Sequence, residues 1–254
     1  MRTINPAGSG LGTKAQRFAR AIVDTRRAEG LSAAIRLAFA LGAEIMLRPV
    51  TRRQDENLDR RLGIGTGRPS GSTPAEAPMA ALGDGVAYSP TPSRLFTRIL
   101  RGLPVRRPAS CTFIDLGCGK GRTLLLAAEH GYGRVVGVEL DPTLADDAAR
   151  NVRAYESSTP ERTGIIEVVG ADAARYEFPA EPTVLFLFNP FGEDTLRAVV
   201  DRIEQSLAQH SRPFVVAYFN PMHHHVLDGS AVLTMVAKRA RWATYANSEA
   251  LHHL

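Results

Sequence analysis

Residues 113–122 read Phe113-Ile114-Asp115-Leu116-Gly117-Cys118-Gly119-Lys120-Gly121-Arg122, and the fold class turns on them. An apolar run ends here, three glycines follow in the spacing G-x-G-x-G, and a helical pattern begins at Arg122. Glycines at such a turn let the backbone reverse sharply and approach a ligand with no side chain between. Free amide groups at the start of the coming helix favour a carboxylate or a phosphate. A nicotinamide-type loop needs G-x-G-x-x-G. In this chain the third glycine comes one residue too early for that.

Outward from the loop, short apolar runs alternate with helical patterns. Cys111–Leu116, Arg134–Glu139, Ile165–Val169, Thr183–Phe188 and Phe214–Phe219 read as buried strands. Arg122–His130, Thr143–Tyr155 and Glu193–His210 read as the helices between them. Asp141 suits the cap of the second helix, with Pro142 at its first position. The alternation predicts an α/β fold with a parallel sheet and helices on both faces. Val232–Lys238 and Arg241–Ala246 follow closely enough to form an antiparallel hairpin at one sheet edge. Ligands of such sheets bind beyond the carboxyl ends of the strands.

Two further strand ends carry polar residues. The second strand ends in Val138-Glu139-Leu140-Asp141. An acidic tip there can accept bonds from both hydroxyls of a ribose. The third strand ends in Val169-Gly170-Ala171-Asp172-Ala173. Asp172 fits either an acceptor for an exocyclic adenine amine or a plain turn cap.

Taken together, FIDLGCGKGR (113–122), VVGVELDP (135–142) and GADA (170–173) resemble the nucleoside-binding motifs of class I S-adenosylmethionine-dependent methyltransferases. The resemblance covers about residues 86–220. It implies a Rossmann-like seven-stranded sheet, mostly parallel, with the last strand antiparallel. It also implies roles. Asp115 and the loop Gly117, Cys118, Gly119, Lys120 and Gly121 would cradle the methionine part of S-adenosyl-L-methionine. Glu139, with Leu140 beside it, would hold the ribose. Asp172 and Ala173 would meet the adenine. Tyr88-Ser89-Pro90-Thr91-Pro92 stands where many of these enzymes close the cofactor pocket. Tyr88 and Thr91 are therefore candidates for cofactor contact, or else form a turn leading into the next helix. A bacterial subgroup that pairs Y-x-P-T-P with N-P-F is the most similar.

The fourth strand ends in Phe188-Asn189-Pro190-Phe191-Gly192. Amine-directed members of the resembled family carry D/N-P-P-Y/F at this place. There the Asn oxygen accepts from the target NH2 and the aromatic packs on the substrate. The present sequence is one proline short of that motif. Asn189, Pro190 and Phe191 are the candidate catalytic residues, and Asn189 is also a candidate cofactor contact. A Pro-fixed turn is the alternative. His223, His224 and His225 offer a general base for an oxygen acceptor, but consecutive side chains diverge too far for a metal site. Exposure at a helix start is the plainer reading, so no metal is expected. Lys120 and Arg122 could favour an acidic substrate or merely pair with solvent, the latter being the plainer reading, and His130 reads as a surface residue at a helix end.

Composition bounds the rest. The chain has 254 residues, 44% hydrophobic and 22% charged, with a net charge of +5. That balance excludes fibrous and fully disordered proteins. Residues 1–80 hold 13 Lys/Arg against 7 Asp/Glu, so the surplus lies there. Contact with an acidic partner is open, but interleaved aromatics for nucleic acid are missing. Residues 14–29 and 31–48 read as two helices split at Gly30, residues 51–62 as an exposed charged stretch, and residues 63–80 as a Gly/Pro/Ser/Thr linker. The organisation expected is a basic helical extension over 1–62, a mobile linker over 63–80 and a methyltransferase domain over 81–254. Leu31–Val50 contains Arg36, Glu44 and Arg48, which argues against a membrane span. Two cysteines without a CxxC pair suit a reducing compartment, and a cytoplasmic protein without a secretory signal is expected.

The expected function is methyl transfer from S-adenosylmethionine to a small-molecule or protein acceptor, an amine nitrogen more than an oxygen. A nucleotide-dependent oxidoreductase is the second reading, and a cofactor-binding module without catalysis the third.

Overall fold

The computed structural model describes residues 30–67, 88–160 and 164–253, together with 19, 22, 23 and 25–27. The chain divides into two compact units, residues 1–49 and 50–254.

The larger unit is built on one seven-stranded sheet. Its strands are β1 (Thr112–Leu116), β2 (Arg134–Glu139), β3 (Ile165–Gly170), β4 (Thr183–Leu187), β5 (Phe214–Phe219), β6 (Thr234–Lys238) and β7 (Trp242–Ala246). Spatially they run β3-β2-β1-β4-β5-β7-β6. β1 to β5 pair in parallel, and β7 is inserted antiparallel between β5 and β6. The expected edge hairpin is thus present, with its second strand on the inside. Strand limits fall within two residues of those read from the apolar runs.

Helices α2 (Ser93–Arg101), α3 (Arg122–Glu129) and α4 (Pro142–Ser158) pack on one face of the sheet. Helix α5 (Glu193–Gln209) and the short α6 (His224–Asp228) pack on the other. The period of two along each strand divides the core accordingly. Phe113, Val135 and Phe186 face Phe96, Leu125 and Tyr155, while Ile114, Val136 and Leu185 face Leu196, Val199 and Ile203. Burial on both faces explains why the strands read as unbroken apolar runs rather than alternating ones. Asp141 caps α4 as expected, accepting from the amides of Thr143 at 2.8 Å and Leu144 at 3.2 Å.

Strand order decides where a ligand can sit. After β3 the chain crosses back to lay β4 beside β1, so the order reverses between β1 and β4. At such a switch point the loops leaving two adjacent strands diverge and open a crevice. Those loops are the glycine stretch after β1 and Asn189-Pro190 after β4.

The N-terminal region differs from expectation. A single helix, α1 (Leu31–Leu62), replaces a helix over 31–48 and an exposed stretch over 51–62, and it runs through Pro49. Residues 50–62 belong to the larger unit, not to a separate extension. Of the expected linker, 63–67 is held in place and 68–80 lies outside the described residues. Most of the helix expected over 14–29 also lies outside them.

Candidate functional site

The glycine loop takes the left-handed conformations its sequence allows, with φ of +83° at Gly117, +56° at Gly119 and +80° at Gly121. Two of these glycines are required by neighbours as well. A β-carbon on Gly117 would lie 2.6 Å from Cβ of Pro190, and one on Gly119 would lie 2.3 Å from the Tyr88 ring. The Asn189-Pro190 turn and the Tyr88 segment therefore both close directly on the loop. Cys118 is buried at its centre. Thr91 is buried too, and its carbonyl accepts from Arg122.

Two carboxylates lie under the loop. Asp115 is buried and accepts from the Thr123 hydroxyl. Glu139 Oε2 accepts the Gly119 amide at 2.8 Å and its Oε1 accepts the Asp141 amide at 3.0 Å. Burial holds the Glu139 carboxyl above its ordinary range, opposed by these backbone hydrogen bonds. Each oxygen keeps a second lone pair, and together these are the pair of acceptors that the two hydroxyls of a vicinal diol need. The residues present therefore fit a ribose. Leu140, beside Glu139, is exposed. Asp172 caps its own turn, accepting the Ala174 amide at 2.9 Å, and Ala173 begins that turn. Capping uses Oδ1, while Oδ2 lies 3.8 Å from Nε of the exposed Arg175.

Burial pushes the Asp115 carboxyl up to about 7, opposed by the Thr123 hydrogen bond and reinforced by the Glu139 charge. In the unfolded chain the same group titrates near ~3.9. Between those values the folded state holds a proton that the unfolded state has released. The stabilising contribution is thus complete below the unfolded value and is lost as pH rises through the folded one. Wild type should lose stability relative to Asp115→Asn between about pH 4 and about pH 7 in urea titrations. A gap independent of pH would contradict this.

Asn189 holds a φ of +40° at the end of β4. Its Oδ1 accepts from the Tyr218 hydroxyl at 3.0 Å, and that hydroxyl accepts the His223 amide at 3.4 Å. With one lone pair so occupied, the Tyr218 proton points to Asn189 and fixes which way the amide faces. A second Oδ1 lone pair stays available. Phe191 departs from expectation. It is buried in the core cluster that contains Leu187 and Leu196, because the Pro190 turn carries the chain back under the sheet. Its ring is not placed to pack on a substrate.

The histidines begin α6 and pair with acids. His224 Nδ1 lies 2.8 Å from Asp228, His225 Nε2 lies 3.1 Å from Glu193, and His223 Nδ1 lies 3.8 Å from the same carboxylate. Hydrogen bonds from His225 and Arg197 hold Glu193 below the usual carboxylate range. Among the described residues no group of three potential ligands converges on a metal position. His130 caps the end of α3 and is half-buried, which lowers its pKa.

Arg122 corrects the solvent-facing reading outright. It is 4% exposed. Its Nη1 lies 2.8 Å from Asp55 and its Nη2 lies 3.6 Å from Asp59, while Nε donates to the Thr66 hydroxyl at 2.7 Å. Asp55 and Asp59 are four apart on α1 and so share one face. Asp55 also accepts from the Ser93 amide at 3.1 Å and its hydroxyl at 2.5 Å, supplying α2 with a cap that Pro92 lacks. Asp59 collects the amides of Thr66 and Gly67. Tyr88 joins the same knot through its hydroxyl, which donates to the Thr66 carbonyl at 2.6 Å. Asn151 adds a further tie between Gly65 and the Lys120 carbonyl. Lys120 itself pairs with Asp147 at 3.1 Å, again not with solvent alone. Residues 55–67 are therefore part of the site's frame. Asp55, Asp59 and Thr66 escaped the sequence reading because their partner is more than fifty positions away.

Residues 113–213 match the model of a methyltransferase domain family. The seven-stranded sheet, with β7 antiparallel, has the architecture that the resemblance to class I methyltransferases implies. A ribosomal protein L11 methyltransferase of Vibrio cholerae is 28% identical over 111 residues, covering 40% of this chain and 38% of the relative. Among solved structures, an RNA methyltransferase from Salinibacter ruber in complex with S-adenosyl-L-homocysteine aligns at 24% identity and a TM-score of 0.41, over 63% of this chain and 94% of that one. A TehB-like SAM-dependent methyltransferase from Corynebacterium glutamicum aligns at 17% identity and a TM-score of 0.41, over 61% and 86%.

Proposed function

We propose that this chain is a cytoplasmic enzyme that transfers a methyl group from S-adenosylmethionine to an amine nitrogen of a small molecule or protein side chain. The observation that carries the proposal is the seat of Pro190 on Gly117, which sets Asn189 at the lip of the loop proposed to hold the donor. When bound, S-adenosylmethionine supplies a methyl group already activated by its sulfonium. The protein's task is then alignment and exclusion of water. In this reading Glu139 takes the ribose diol, and Asp115 with Gly117, Cys118, Gly119 and Gly121 takes the methionine portion. Leu140, Asp172 and Ala173 border the adenine. Tyr88 and Thr91 close the loop from outside. Asn189 uses its remaining Oδ1 lone pair to accept an N–H of the acceptor and turn the nitrogen lone pair toward the methyl group. Pro190 fixes the turn.

The alternative readings make different demands. An oxidoreductase would bind a dinucleotide, against which the early third glycine of the loop counts. A binding module without catalysis would turn over no acceptor.

The test is Asn189→Ala against a panel of amines, phenols and carboxylic acids. The panel also includes RNA, and a ribosomal protein because the matched relative is named for one. Affinity for S-adenosylhomocysteine should stay nearly unchanged, while turnover of the accepted amine drops ~10²-fold, the scale of one well-placed polar contact. Unchanged turnover per folded molecule would reduce Asn189 to a turn former. A phenol or carboxylate acceptor, with activity lost on changing His223, His224 or His225, would move the chemistry to α6.

A further inference from the structure

The smaller unit presents a surface that the proposed methyl transfer does not use. On α1, Phe39 is 81% exposed and Met46 83%, and Leu31, Ile35 and Ile45 are each more than half exposed. At about 100° per residue these side chains share one stripe covering roughly a third of the helix circumference, with Ala38 and Gly42 inside it. Water is a poor solvent for such a stripe, and exposed apolar patches of this kind mark interaction surfaces.

Charge identifies the occupant. Arg36 and Arg48 are exposed and flank the stripe on its two sides by the same periodicity. Glu44 falls on the opposite side of the helix. An apolar centre with cationic edges is the pattern of a helix lying in a membrane interface, its apolar face among the acyl chains and its arginines at anionic headgroups. No helix among the described residues is long and apolar enough to cross a membrane, so the helix would lie on the bilayer rather than span it. A second copy of the chain would cover the apolar side chains but offer the flanking arginines no anionic partner. Nucleic acid would satisfy the arginines but leave five large apolar side chains against a polar backbone.

We infer that the Leu31–Pro49 part of α1 docks this protein on an anionic lipid surface. Co-sedimentation of the full chain with vesicles tests it. Two compositions are compared, phosphatidylcholine alone and phosphatidylcholine with about one-third phosphatidylglycerol. Wild type should pellet with the anionic vesicles at low salt and less so at high salt. The variant Phe39→Asp with Met46→Asp, and separately Arg36→Glu with Arg48→Glu, should each bind at least about tenfold more weakly. All four positions are exposed, so far-ultraviolet circular dichroism and S-adenosylhomocysteine affinity should match wild type. Failure of wild type to bind anionic vesicles would overturn the inference, as would binding that neither variant weakens. A wild-type dimer that the Phe39/Met46 variant converts to monomer, without vesicle binding, would assign the stripe to a second copy instead.

Discussion

Arg122→Ala should destabilise the protein by about 3–5 kcal/mol, the scale for removing one partner of a buried ion pair. The guanidinium is buried at the first turn of α3, where the helix dipole already disfavours a cation. It is held by Asp55 and Asp59, the Thr66 hydroxyl and the Thr91 carbonyl. Deleting it leaves two part-buried carboxylates facing each other without a counter-charge. Their own further roles then weaken, since Asp55 caps α2 and Asp59 orders Thr66 and Gly67. For a domain of this size the loss corresponds to a fall in Tm of about 10 °C or more. Arg122→Met combined with Asp55→Asn and Asp59→Asn should recover most of the loss, because neutral groups of similar shape tolerate burial that unpaired charges do not. A melting temperature for Arg122→Ala within a degree or two of wild type would remove Arg122 from the frame of the site.

Glu139→Ala should weaken S-adenosylhomocysteine binding on the order of 10²-fold, from the loss of two charge-assisted bonds to a ribose diol. Glu139→Gln, which keeps an acceptor but not the charge, should fall between the two. The carboxylate also holds the Gly119 amide, so part of the effect passes through the glycine loop. Apo-protein melting separates that part. If the loop alone were responsible, the fall in affinity would track a fall in Tm across both variants. If ribose contact dominates, affinity falls further than stability does. Wild-type affinity in Glu139→Ala would sink the assignment.

The parts of this protein that could be read in its sequence are those governed by local rules. Strands buried on both faces announce themselves as apolar runs, so β1 to β5 were legible to within a residue or two at each end. The glycine loop was legible because positive φ at three positions needs glycine at all three. What was not legible depends on partners far along the chain. Nothing near Arg122 indicates Asp55, which lies 67 positions away. The mixed charges of 51–62 looked like a solvated face, yet two of its acids point inward. Phe191 looked like a substrate platform because it follows Asn-Pro, but a turn only one residue shorter than the resembled motif buries it. The apolar pattern of α1 stops at residue 48, where Pro49 and a charged stretch follow, so the helix reads as ending there. The backbone carries on past Pro49, and the boundary at 49/50 appears between compact units instead.

The most direct measurement is a calorimetric titration of the full chain with S-adenosylhomocysteine and, separately, with NAD. A methyl-donor site at the β1/β4 crevice predicts one-to-one binding of S-adenosylhomocysteine and none of NAD. Heat with NAD and none with S-adenosylhomocysteine would contradict it, and would return the glycine loop to a dinucleotide.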